Sequence, residues 1–179
     1  MPPKDGGTEL VREGEKGHFM ARKITPFLWF KNEAEEATRF YVSLFKDAEI
    51  LKVDRINGDG PVFTTAFRLE DQEYIALNGG PEDGDQSKFN DSISFLIRCD
   101  DQDEVDHFWD TLTEGGKPIG CGWLKDKFGV TWQVTPRAMD ELLAGPDREG
   151  ADRALKALSQ MTKIDVAELK AAYDGALVS

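Results

Sequence analysis

The chain has 179 residues, 40% of them hydrophobic, and carries 34 acidic against 22 basic side chains for a formal net charge of -12. That length closes one good core and is too short for two large domains. No cluster of Lys or Arg could neutralise a phosphate backbone, two cysteines are too few for a disulfide scaffold, and no apolar run nears the roughly 20 residues that cross a bilayer. Neither nucleic acid nor membrane is therefore an expected partner, and a reducing, cytoplasmic setting is expected.

Residues 1–22, rich in Gly, Pro and mixed charge, read as a disordered extension, with Met20 a candidate natural start; residues 23–179 read as a single domain. The apolar run from Ile24 to Phe30 suits a strand covered on both faces, and Pro26 places it at a start or an edge. Asn32 is the expected N-cap of a helix in which Glu33, Glu35 and Glu36 favour the positive end, while Ala37, Phe40, Tyr41 and Leu44 share one face. A strand from Ala48 to Ile56 ends at a turn of Asn57, Gly58, Asp59, Gly60 and Pro61. Val62 to Leu69 and Glu73 to Asn78 then form a hairpin across Glu70, Asp71 and Gln72, with Phe63, Thr65, Phe67 and Leu69 on one face. This first half spans about 23–80. Residues 79–91, rich in Gly, Asp and Ser, read as a linker or a mobile loop over a site.

A second half, about 91–136, opens with Ile93, Phe95, Ile97 and Cys99 alternating against Ser92, Ser94, Leu96 and Arg98. A helix from about Asp103 packs Val105, Phe108, Trp109 and Leu112 and stops at Gly115 and Gly116. Strands near Cys121 to Lys125 and from Val130 to Thr135 flank a turn at Asp126 to Gly129. Thr131, Gln133 and Thr135 alternate there with Trp132 and Val134. Residues 137–175 are helical in pattern and serve to cover the sheet or a subunit interface. Asp165 and Glu168 form a capping box for the last helix, with Ile164 and Leu169 as its hydrophobic staple.

The two halves echo each other. Phe40, Tyr41 and Leu44 fall on Phe108, Trp109 and Leu112 at a constant offset of 68 residues, which also carries Glu36 to Glu104 and, in the strands, Phe27 and Leu28 to Phe95 and Leu96. A duplicated unit predicts a cleft shared between its copies. Among the reactive side chains, His107 reads as a solvated surface residue and Cys99 as a buried small hydrophobe. Cys121 is the candidate catalytic residue, because Lys125 and Lys127 lie near it in sequence to favour a thiolate.

The stretches KITPFLWFKNEAEEATRFYVSLF, YIALNGGP, SISFLIRCDDQDEVDHFWDTL, CGWLKDKFGVTWQVTP and MTKIDVAELKAAYDG together resemble the PhnB-like branch of the glyoxalase, bleomycin-resistance and dioxygenase superfamily, also called vicinal oxygen chelate. Members of this branch often carry the name 3-demethylubiquinone-9 3-methyltransferase. The resemblance covers about residues 23–175. It implies an α+β fold of paired βαβββ modules, here with a C-terminal helical extension, and a homodimer. Metal-dependent members of that superfamily take His or Gln from the first strand and Glu from the last strand of each module. Those positions fall here at Thr25 or Pro26, Ile93 or Ser94, near Asn78 and at Gln133, which offer neither imidazole nor carboxylate, so no metal ligand is identified and no cofactor is expected.

Two functions from different classes fit. One is a metal-free module binding a small molecule in a cleft lined by Trp29, Asn78, Ser94, Trp123, Lys125 and Gln133. The other is an enzyme, whether lyase, dioxygenase or methyltransferase, that uses Cys121 or a divalent metal whose ligands are not identified. No glycine-rich strand-to-helix turn is present to hold a nucleoside cofactor.

Overall fold

The computed structural model describes residues 23–80 and 89–176; the N-terminal extension expected from the sequence and the middle of the linker lie outside the described residues. Module one comprises β1 (Phe27–Phe30), α1 (Ala34–Leu44), β2 (Ala48–Arg55), β3 (Val62–Leu69) and β4 (Gln72–Asn78). Module two comprises β5 (Phe95–Cys99), α2 (Gln102–Thr113), β6 (Lys117–Gly120), β7 (Trp123–Lys125) and β8 (Thr131–Pro136). Helices α3 (Arg137–Leu143), α4 (Arg148–Leu158) and α5 (Val166–Tyr173) follow. The two four-stranded sheets have matching orders, β1-β4-β3-β2 and β5-β8-β7-β6, and in each the first and last strands of the module run parallel while the rest pair antiparallel. These are paired βαβββ modules in an α+β fold. Strand β6 was not expected from the sequence, since Pro118 and Gly120 break any alternation in a four-residue edge strand.

Each sheet buries one face under its own helix. Leu28, Phe30, Phe67, Leu69, Tyr74 and Ala76 meet Ala37, Tyr41 and Leu44 of α1, and Ile97, Cys99, Leu124, Trp132 and Val134 meet Val105, Phe108, Trp109 and Leu112 of α2, in one continuous core. The helical repeat holds at its offset of 68: Ala37 and Val105, Tyr41 and Trp109, and Leu44 and Leu112 are equivalent buried pairs. In the strands that offset fails. Leu28 is buried, whereas Leu96 is 45% exposed. Three residues separate β1 from α1 and only two separate β5 from α2, so the true strand offset is 69, bringing Phe30 onto Cys99. A one-residue change of register moves every side chain of a strand to the opposite face.

Two further expectations, on Asn32 and Phe63, are corrected. Asn32 does not cap α1; the Ala34 N–H donates to Asn78 Oδ1 at 2.8 Å, across 44 residues. The α2 cap is Asp101, whose Oδ1 accepts from Glu104 N. Phe63 leaves the core face and is half exposed, because Asp54 pairs with Thr64 while the next residue, Arg55, pairs with Val62, making Phe63 the extra residue of a bulge.

The modules join through α1, α2 and the helix-covered faces of the sheets. Tyr41 packs on Trp132, Phe45 on Phe108 and Tyr74 on Phe95, with ring centroids 5.4, 4.9 and 5.3 Å apart. At this junction sits Asp126, only 4% exposed. Its Oδ2 accepts from Tyr41 Oη at 2.7 Å and Trp132 Nε1 at 2.9 Å, and its Oδ1 from the N–H groups of Phe128 and Val130. Four donors thus satisfy one buried carboxylate, which links α1 of module one to the β7–β8 turn of module two.

The C-terminal helices enclose a small core of their own, built on Ala154, Leu158, Met161, Ile164 and Leu169. It docks on module two through the β6–β7 turn, where the N–H groups of Cys121 and Gly122 donate to the carbonyls of Met161 and Thr162. Gly122, at φ +79°, allows this approach: a Cβ there would lie 2.8 Å from the Val134 carbonyl oxygen and 2.7 Å from Ile164 Cδ1. One half of the expected capping box is formed at α5, where Asp165 Oδ1 accepts from Glu168 N, and Ile164 and Leu169 beside it are both buried.

Candidate functional site

The face of each sheet turned away from its helix carries a mixed patch. In module one, Phe27 and Trp29 of β1 pair with Ile75 and Leu77 of β4, and remain 55% and 46% exposed. In module two, Leu96, Gln133 and Trp123 stand side by side across β5, β8 and β7. Gln133 Nε2 donates to Ser94 Oγ at 2.8 Å. The Lys125 ammonium pairs with Asp91 at 2.9 Å, and Thr131 Oγ1 donates to the same carboxylate. Asp91, at the end of the linker, thereby ties that segment to the sheet and holds its own carboxyl below the usual aspartate range, chiefly through Lys125.

Ser94, Trp123, Lys125 and Gln133 are therefore gathered on one open face, and Trp29 lies on the corresponding face of module one. Asn78 does not join it. Its pairing with Phe30 puts it on the helix side, where its Oδ1 caps α1 and its Nδ2 donates to the Val62 carbonyl at 3.0 Å. Since the modules adjoin through their helix-covered sides, the two open faces are turned away from that junction. The shared cleft predicted between the halves of one chain is not formed by these residues.

Cys121 lies in the β6–β7 turn at φ +51°, with an exposed thiol that donates to the Leu158 carbonyl at 3.4 Å. The lysines expected to activate it are engaged elsewhere: Lys125 with Asp91, and Lys127 with Glu36 at 3.1 Å and over the rings of Phe40 and Phe128. Cys99 is fully buried, and that burial, reinforced by Glu104, Asp100 and Asp101, pushes its thiol up to about 12. His107 is exposed and its Nε2 donates to the Leu44 carbonyl at 3.0 Å, a helix-to-helix tie between modules. Asp126 escaped sequence reasoning, its only local signal being the turn spacing from Asp126 to Gly129.

On the first and last strands of the modules, the open-face side chains are Phe27, Trp29, Ile75 and Leu77 in module one and Leu96, Arg98, Gln133 and Thr135 in module two. Among the described residues no three His, Cys, Asp or Glu side chains converge. Apolar groups, an amide, a hydroxyl and a guanidinium do not fit zinc, iron or nickel, which require imidazole, thiolate or carboxylate donors.

Comparison with known proteins places this fold. No curated protein matches the chain. Among solved structures, a 3-demethylubiquinone-9 3-methyltransferase PhnB protein from Bacillus cereus, described as putative, is 33% identical with a TM-score of 0.58, covering 64% of this chain and 99% of its own. The PA1353 protein of Pseudomonas aeruginosa shares the fold at 19% identity and a TM-score of 0.53, covering 65% and 98%. The fosfomycin resistance protein FosX of Listeria monocytogenes is a remoter neighbour, at 16% identity and a TM-score of 0.48, covering 68% and 96%. The model of the 3-demethylubiquinone-9 3-methyltransferase family matches residues 22–135, which takes in both modules and leaves α3, α4 and α5 outside. Matched over more than half its length, and a third identical to a relative that it spans almost end to end, the chain belongs to this PhnB-like 3-demethylubiquinone-9 3-methyltransferase family.

Proposed function

We propose that this protein binds a small molecule on its open sheet faces without a divalent metal, in a cleft completed when module one of one copy meets module two of a second. The observation that carries this reading is the half-exposed apolar surface of Phe27, Trp29 and Leu96, set beside the polar group of Gln133, Ser94 and Lys125. Small-molecule sites join apolar walls to a few fixed polar groups in this way. Aromatic side chains at the free edge strand β1 gain most if a second subunit covers them.

Two other readings find less support. Catalysis by Cys121 requires an activated thiolate facing the patch, whereas the thiol points to the Leu158 carbonyl and its lysines are paired elsewhere. Methyl transfer, which the family name suggests, requires a seat for a methyl donor. The β1–α1 turn is Lys31, Asn32 and Glu33, and the β5–α2 turn Asp100 and Asp101, neither with the glycines that let a nucleoside cofactor approach the backbone.

Metal analysis of the purified protein with a thermal-shift titration against divalent ions tests the reading. It expects no stoichiometric metal and no large stabilisation by any one ion; tightly bound metal would sink it. Sedimentation is expected to give twice the chain mass of 20.0 kDa. Trp29→Lys should yield monomers with unchanged secondary structure, and a wild-type protein that sediments as a monomer refutes the shared cleft.

A further inference from the structure

The cations that flank the open-face patch of module two are matched by carboxylates of the same chain. The row of Leu96, Gln133 and Trp123 has Arg98 on one side, two residues along β5, and Lys125 on the other, two residues along β7. The Lys125 ammonium holds Asp91 of the linker at 2.9 Å, and the Arg98 guanidinium holds Asp140 of α3. Lys117, opposite Lys125 on the edge strand β6, adds its field at the same Asp91 carboxylate. In module one, Trp29 and Leu77 stand beside Thr64, whose hydroxyl donates to Asp54 at 3.2 Å, and Asp54 in turn takes the Lys52 ammonium at 2.8 Å. The polar groups left to a ligand at the centre of the patch are neutral. The bond from Gln133 Nε2 to Ser94 Oγ uses neither the Gln133 amide oxygen nor the Ser94 hydroxyl proton, an acceptor and a donor side by side.

Resting on the open-face reading above, we infer that the ligand taken there is uncharged, a flat aromatic molecule with a hydrogen-bond donor and acceptor side by side as in a carboxamide, and that Asp91 and Asp140 set this preference by cancelling Lys125 and Arg98. The aromatic body lies between Trp29 of one copy and Leu96 and Trp123 of the other, while the donor and acceptor meet Gln133 Oε1 and the Ser94 hydroxyl. An anion would have to displace Asp91 or Asp140 from its cation, and a cation would have to displace Lys125 or Arg98 from its carboxylate. Both aspartates act through the cation they neutralise and touch no ligand atom. Asp140 lies beyond residues 22–135, the part matched by the family model, so the helical tail contributes to the specificity of this chain.

Calorimetric titration of the full chain with benzamide, benzoate and benzylammonium, which share a shape and differ in charge, tests the inference. Benzamide is expected to saturate the protein and to bind more tightly than either ion. With side chains 59% and 48% exposed, Asp91 and Asp140 accept asparagine without loss of the fold. Asp91→Asn and Asp140→Asn should each tighten benzoate about fivefold, the worth of one freed cation at contact in water, and leave benzamide unchanged. Asp152→Asn removes an equal charge from an exposed position of α4 and should change neither. Trp29→Lys removes an apolar wall and should abolish binding of whichever probe the wild type takes. If benzoate binds the wild type as tightly as benzamide and Trp29→Lys abolishes both, the charge preference falls while the open-face reading stands; binding that survives Trp29→Lys counts against that reading itself. Saturation by none of the three probes, or no gain for benzoate in either asparagine variant, overturns the inference.

Discussion

Asp126→Ala should be among the most damaging single substitutions in this chain. The carboxylate is 4% exposed and accepts four hydrogen bonds, so truncation strands two backbone N–H groups, the Tyr41 hydroxyl and the Trp132 indole N–H. A buried polar group left without a partner costs about 1–3 kcal/mol, and four donors lose theirs here, a loss that removal of the buried charge offsets only in part. Against a typical net stability of about 5–15 kcal/mol, that removes a large fraction of the total. Tyr41→Phe removes a single donor to the charged acceptor and should cost about 1.5–3 kcal/mol. Burial raises the Asp126 carboxyl above its ordinary 3.8, against the hydrogen bonds from Trp132 and Tyr41 that lower it. The native state therefore holds this proton more tightly than the unfolded chain does. Its contribution is fully present below pH 3.8 and is lost as pH rises through the elevated native value. Urea unfolding followed by tryptophan fluorescence, repeated across that acidic range, measures both effects. An Asp126→Ala protein within about 0.5 kcal/mol of wild type at neutral pH would refute the reasoning, since that is the effect of an ordinary surface change.

Gly122→Ala should destabilise the chain by at least about 1–3 kcal/mol, because a side chain at φ +79° is strained and its Cβ meets the Val134 carbonyl; the C-terminal helices should become the first site of limited proteolysis. Thr38→Val leaves the buried Thr65 hydroxyl without its 2.6 Å partner and should cost about 1–2 kcal/mol in the same urea assay. An alkylating reagent applied to the native protein should modify one thiol per chain, the exposed Cys121, with Cys99 reacting only after unfolding. Labelling that persists unchanged in Cys121→Ser would contradict the burial of Cys99.

The helices were legible in the sequence because their signal is local. Ala37, Tyr41 and Leu44, and Val105, Trp109 and Leu112, recur at the three- and four-residue spacing that places side chains on one stripe, and all six are buried. The Gln133 face and the N-cap at Asp165 were readable for the same reason, since each is decided within a few residues. Where the sequence reading of the site went astray, the deciding contact was distant. Asn78 resembles a binding residue on an alternating strand, yet its amide is taken by Ala34 and Val62, 44 and 16 residues away.

The amino-acid pattern alone determined one βαβββ unit, a second like it but for the short strand β6, and a helical tail, because periodicity is a property of short segments. Only the tertiary structure decided that the strand repeat slips to 69, that the modules back onto each other through their helices, and that Tyr41 and Asp126 meet across 85 residues. A single residue lost between β5 and α2 inverts a strand, and a buried carboxylate is tolerable only where four donors converge on it. Both are long-range conditions, met when the whole core closes.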